Sequence, residues 1–186
     1  MVPVSVVVVN MSSSTTELRS ASTSLGGSPW SWARTPRETN RALVTQQEEF
    51  DCGLACAEML FRDRGISVSS ADLRGSTPLP ARAEDLAESM NRVHPAGPVW
   101  SGGALNVRGE VSRQLVVTLC LSTGTWAALL EPLGFGRVGH WVVIDGIDDE
   151  SMLLVRDPVG EAYRMTFADF ASLWRYTVLV FEEPGR

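Results

Sequence analysis

The chain has 186 residues, 44% of them hydrophobic and 20% charged, with a formal net charge of −6. This length and composition suit one domain with a sizeable core. The acidic balance speaks against nucleic acid or an anionic membrane as the main partner, and no run approaches the ~20 apolar residues of a membrane span.

All 16 basic residues are arginine. A high-GC genome accounts for that; selection against lysine modification inside a host cell is the sharper alternative. The three cysteines, Cys52, Cys56 and Cys120, are too few and odd in number for a disulfide framework. Cys52 and Cys56 would lie one helical turn apart, which is poor geometry for a bridge. A reducing, cytoplasmic setting is expected. The Val-rich start lacks the basic residues of a signal peptide, though export as an effector stays open.

In chain order, residues 1–40 read as an arm and 41–186 as the folded domain. Ser12 to Ser28 is rich in Ser, Thr and Gly and reads as disordered. Trp30 and Trp32 follow it and either pack loosely on the domain or serve as a docking motif. The Val-rich start has the composition to add a strand to a sheet edge. From about Cys52 to Arg64 the apolar residues Leu54, Ala55, Ala57, Met59, Leu60 and Phe61 repeat with helical period, and Gly65 stops the helix. Ser69 or Ser70 caps a short helix containing Asp72 and Leu73. Residues 75–80 form a loop. Ala81 to Val93 reads as a helix with Leu86, Ala87 and Met90 on its apolar face.

His94 falls in a Pro/Gly break and reads as a surface residue. A short strand at Val99-Trp100 is followed by Ser101-Gly102-Gly103, read as flexible. Glu110 to Leu121 is helix or strand by pattern. Thr125 to Leu130 reads as a buried strand, and Pro132 to Gly139 as a glycine-rich loop. The β-branched and aromatic run from His140 to Gly146 is a strand. It turns at Ile147–Ser151 and returns through Met152–Arg156 to Asp157-Pro158. Tyr163–Met165 begins another strand. Thr166 caps a helix from Phe167 to Leu173, and Tyr176–Phe181 is the last strand. Helices first and an antiparallel sheet afterwards make the class α+β.

The chemistry centres on Cys52. It stands at or just before a helix's first turn, where unpaired N–H groups and the helix dipole favour a thiolate. Gly53 lets backbone approach whatever is attacked. A thiol nucleophile needs a base and an orienting group. Of the two histidines, His140 opens a buried strand after a loop that frees its ring to reach a cleft. If the following turn is centred between Asp148 and Asp149, His140 faces Asp157, within reach of its imidazole. Asp145, the rival, lies five residues along the strand. Asp51 reads as a turn or cap residue, and Cys56 and Cys120 as core.

Gln46, followed by Asp51-Cys52-Gly53-Leu54-Ala55-Cys56, resembles the active-site segment of papain-like cysteine peptidases. The nearest likeness is to the bacteriocin-processing, double-glycine leader peptidases and to the related "guanylyl cyclase domain-containing" proteins; nothing here reads as a cyclase site. The family's His-strand-turn-strand-Asp-Pro pattern matches Gly139-His140 through Asp157-Pro158. The resemblance covers roughly residues 41–181. It implies a papain-like fold, a helix over Glu110–Leu121, a Cys52–His140–Asp157 triad, and Gln46 in the oxyanion hole with Gln47 as the adjacent alternative. It implies a peptide or protein substrate.

No metal or cofactor is expected. Cys52, Cys56 and His140 lack a second ligand pair, and Gly102-Gly103 is too little for a phosphate loop. An acyltransferase, transpeptidase or deamidase on the same nucleophile is the alternative activity. A peptide-binding module on a degenerate peptidase fold is a third reading, opposed by the presence of both Cys52 and His140.

Overall fold

Helix α1, Cys52–Arg62, buries every residue from Cys52 to Phe61, and the fold is arranged around it. A helix apolar on all sides must lie inside a protein. The one charge in that run, Glu58, is held by Arg62 at 2.6 Å and by the main-chain N–H of Ser70 at 2.6 Å. The computed structural model describes residues 8–9, 33–96, 99–107, 111–131 and 139–182. The Ser-rich stretch, Trp30, Trp32 and most of the loop before His140 lie outside the described residues.

Among the described residues, eight strands form a single sheet in the order β1-β3-β8-β4-β5-β6-β7-β2. They are β1 Val8–Val9, β2 Thr35–Pro36, β3 Val99–Leu105, β4 Trp126–Leu130, β5 His140–Ile147, β6 Leu153–Asp157, β7 Glu161–Met165 and β8 Trp174–Glu182. All neighbours pair antiparallel. The class is α+β, as the sequence order implies. On one face α1, α2 (Ser70–Arg74) and α3 (Ala83–Val93) pack against Trp100, Ala127, Trp141, Val143 and Leu179. On the other, α4 (Arg113–Thr123) and α5 (Phe167–Leu173) cover Trp126, Val142, Ile144, Val155 and Val178. The first residues of β5, buried from His140 to Ile144, therefore read as an unbroken apolar run.

The local signals act as their chemistry requires. Gly65 takes φ +70° after α1. Ser69 and Asp72 cap α2 reciprocally. Ser112 caps α4 and Thr166 caps α5 through their hydroxyls.

Three details depart from expectation. Gly102 and Gly103 are not flexible; they lie inside β3. A Cβ on Gly102 would stand 1.9 Å from the carbonyl oxygen of Ala83, so the glycine is what lets α3 rest on the strand. Gly102→Ala is expected to cost about 1–3 kcal/mol, read as a lower urea midpoint at unchanged slope; an unchanged midpoint would refute this packing account. Second, His94 is not simply a surface residue. It is half-buried, with its ring 6.3 Å from that of Phe61. Third, Thr35 and Pro36, inside the stretch assigned to the arm, are edge strand β2. They pair with Arg164 and Tyr163 of β7, and Arg37 N–H donates to Ala162 O at 3.0 Å. Val8 and Val9 close the opposite edge by pairing with Leu105 and Ala104.

Candidate active site

Cys52 is the first residue of α1, and its side chain is buried against the core. A Cβ on Gly53 would come within 3.1 Å of both Ala81 and the Trp141 ring. The glycine thus lets the start of α1 sit close on β5, which carries His140. The indole of Trp141 is anchored by a 3.0 Å hydrogen bond to Ala81 O.

His140 and Asp157 meet. Nε2 of His140 lies 2.7 Å from Oδ1 of Asp157, with both residues buried. The route differs from the simple hairpin expected. Val143 faces Arg156 and Ile144 faces Val155, and the register then shifts between Ile144 and Gly146. Continued by one step, that register sets Asp157 level with Val142, not with His140. The two side chains meet diagonally on one face, within the reach that neighbours two residues apart allow.

Asp157 Oδ1 also accepts from Val159 N–H at 3.1 Å, and Oδ2 accepts from the Tyr163 hydroxyl at 3.1 Å. Burial opposes the Asp157 charge, but the hydrogen bond and charge of His140 and the donors from Val159 and Tyr163 hold its carboxyl below the ordinary range. Burial likewise opposes charge on His140. The hydrogen bonds and negative charges of Asp157 and Cys52 outweigh it and raise the imidazole from 6.5 to about 9. With Nε2 engaged by Asp157, Nδ1 is the ring nitrogen left for Cys52. The arrangement is a thiol beside an imidazole that holds its proton tightly.

Gln46 comes to the same place. Its main-chain N–H donates to Pro158 O at 2.8 Å, so the segment before Cys52 is tied to the turn after Asp157. The Gln46 carboxamide donates to the carbonyls of Glu48 and Glu49 at 3.0 and 3.3 Å, while its buried Oε1 has no partner among the described residues. Gln47 is exposed and donates to Thr45 O at 3.1 Å.

Asp51 precedes α1, but its side chain makes no cap hydrogen bond. It accepts from Glu48 N–H at 3.1 Å and pairs with Arg74 of α2, shaping the turn that carries Gln46. Cys56 is fully buried one turn along α1. Burial, then the charges of Cys52 and Asp157, push its thiol well up, consistent with a core role. Cys120 accepts from the Trp126 indole at 3.4 Å, and burial raises its thiol too.

Asp145 stands apart from the site, paired with Arg37 and with Arg156 at 2.8 Å. Sequence reading missed Tyr163 and Arg156. Tyr163 gave a usable signal, since it stands two residues beyond Glu161, the partner of Asp157. Arg156 gave none, because an arginine in a strand ordinarily reads as solvent-facing.

Among solved structures, the chain is similar to the peptidase domain of Streptococcus ComA, a bi-functional ABC transporter involved in quorum sensing. The match covers 75% of this chain and 96% of that one, with TM-score 0.58 and 19% identity. A C39-like peptidase from Bacillus anthracis matches over 83% of this chain and 100% of its own, with TM-score 0.58 and 13% identity.

The chain has the papain-like fold of the double-glycine peptidase domains.

A further structure of this peptidase fold, a double glycine motif protease from an AMS/PCAT transporter in complex with the leader peptide, matches over 80% of this chain and 96% of its own. Its TM-score is 0.53 at 13% identity. In sequence, the papain-like domain is 32% identical over 150 residues to Cysteine protease effector 1 of Escherichia coli O1:K1:H7. That match covers 80% of this chain, which spans 28% of the relative's length. No protein-family model matches. Among the described residues, no helix of the papain-like domain is long and apolar enough to cross a membrane.

Proposed function

We propose that this domain is a cysteine peptidase acting on a peptide or protein through Cys52, His140 and Asp157. The observation that carries the reading is the 2.7 Å contact between His140 and a buried Asp157, on the same imidazole that Cys52 engages. In the proposed reaction Cys52 gives its proton to His140, and the sulfur attacks the substrate carbonyl. The Cys52 main-chain N–H and the Gln46 carboxamide stabilise the oxyanion, at ~3–4 kcal/mol per donor in comparable sites. For this the Gln46 amide leaves the carbonyls of Glu48 and Glu49. His140 then protonates the leaving amine. Water, deprotonated by His140, releases the acyl group and restores the thiol. Asp157 fixes the ring throughout.

A peptide substrate is supported by the neighbour whose structure holds a leader peptide. The likeness to a protein named as an effector supports delivery into a target cell, where a free thiol would stay reduced.

Iodoacetamide labelling across pH, mapped by mass spectrometry, tests the reading. Cys52 is expected to react first at acidic to neutral pH and to lose that preference in His140→Ala. Equal rates at Cys52, Cys56 and Cys120 would overturn it. Peptide turnover, followed by product mass with and without added amine, separates hydrolysis from acyl transfer.

Turnover is expected to fall as pH rises through about 9, where His140 gives up the proton the leaving amine needs. Alkylation of Cys52, which needs only the thiolate, should not fall over the same range.

A further inference from the structure

The two oxygens of Asp157 are held differently. Oδ1 takes His140 and Val159 N–H; Oδ2 takes the Tyr163 hydroxyl. Asp157 faces Glu161 across a tight hairpin, and Tyr163 lies two residues further along β7. Tyr163 is buried, so its hydroxyl has little freedom. A carboxylate held at one oxygen only would be free to turn about its Cβ–Cγ bond, exchanging the oxygen that meets the imidazole.

Tyr163 is itself backed from the N-terminal side of the chain. The guanidinium of Arg34 lies 5.3 Å from the centroid of its ring and pairs with Glu161 at 2.9 Å. Strand β2 fixes that placement, because Pro36 is the register partner of Tyr163. A cation over an aromatic ring draws on its π electrons. A phenol so polarised is a stronger donor, which suits a hydroxyl bonded to a carboxylate. The Tyr163 hydrogen bond is among the contacts that keep Asp157 ionised.

We propose that Tyr163 is a positioning residue of the Cys52–His140–Asp157 site, and that Arg34 acts on the site through it. The inference rests on the peptidase reading. It assigns strand β2 a part in setting the reactivity of Cys52 by way of a hairpin far along the chain.

The test uses the full chain and the pH profile of Cys52 alkylation by iodoacetamide, which requires no known substrate. Tyr163→Phe keeps the ring and removes only the hydroxyl. It is expected to move the acid limb of the profile to higher pH and to slow alkylation near pH 6 by about tenfold. Arg34→Leu should give a smaller shift of the same sign, and Arg34→Lys should return most of the parent profile. In a Tyr163→Phe background, Arg34→Leu should add nothing further.

A Tyr163→Phe profile that superimposes on the parent's, even with a lowered melting temperature, would leave Tyr163 a packing residue and overturn the inference. Additive shifts from Arg34→Leu would overturn its route through Tyr163. If Tyr163→Phe fails to fold, the partly exposed Arg34 still decides the matter by its own shift. If the parent chain shows no preference for Cys52 at all, the peptidase reading falls; if it does and only the variants are silent, this inference alone falls.

Discussion

Replacing Cys52 with alanine is expected to abolish turnover and leave the melting temperature near that of the parent chain. The nucleophile cannot be substituted by its neighbours. Cys56 is fully buried with its thiol pushed up, and Cys120 is bonded to the Trp126 indole and packs on the opposite face of the sheet from Cys52. Loss of a catalytic thiol costs about ten-thousand-fold or more where nucleophile and base act as a unit. Alanine keeps the Cβ that Cys52 contributes to the core cluster, so the fold survives. His140→Ala should be comparably inactive, and Asp157→Ala less so, because the orienting group works through the ring. Product mass spectrometry beside thermal unfolding distinguishes these outcomes. An inactivating Cys120→Ala, with Cys52→Ala retaining turnover, would sink the assignment.

The same residues tie stability to pH. His140 has a folded-state pKa of about 9 against an ordinary 6.5. Its protonation therefore adds stability that is complete below about 6.5 and is lost as pH rises through about 9. Asp157 has a lowered value, so its contribution is present above the ordinary carboxylate range and is lost as pH falls through its folded value.

Arg156→Met is expected to be the most destabilising single change, at about 3–5 kcal/mol. The Arg156 side chain has no solvent exposure, and it joins three parts of the chain. It donates to Asp145 at 2.9 Å on the β5 bulge, to Asp63 at 2.5 Å at the end of α1, and to Ala42 O at 2.6 Å in the segment leading to Gln46. Methionine fills similar volume but leaves two buried carboxylates short of a cation. Arg37 and Arg41 still reach Asp145 and Asp63, which keeps the loss from growing larger. Urea unfolding measures it. A loss under about 1 kcal/mol would mean the edge cations carry the cluster by themselves.

The sequence made the local elements legible because their signals are local. The periodicity of α1, the stop at Gly65 and the caps at Ser69 and Thr166 act within one turn. The triad was legible for a weaker reason. The assumed hairpin was two residues from the observed register, an even error, so His140 and Asp157 stayed on one face; an odd error would have parted them. What stayed hidden was set by packing between distant elements. Gly102 read as flexible because nothing nearby announces that α3 will lie on it. Nothing in the sequence marks Arg156 as buried, because its partners come from residues 42, 63 and 145. Asp51 was read as a turn or cap residue; its turn contact with Glu48 N–H is local, but its pairing with Arg74, from a different helix, was hidden.

The edge strand β2 has a consequence for the order in which the proposed site is assembled. Arg34 meets Glu161, 127 positions further along the chain, and Gln46 is anchored to Pro158. Along the chain Cys52 comes well before His140, Asp157 and the hairpin that receives β2. Contacts so distant in sequence form late. During synthesis the proposed nucleophile is therefore made before the base and the carboxylate proposed to serve it. The proposed site is complete only once β5 and β6 have brought His140 and Asp157 together and β2 has paired with β7 beside them.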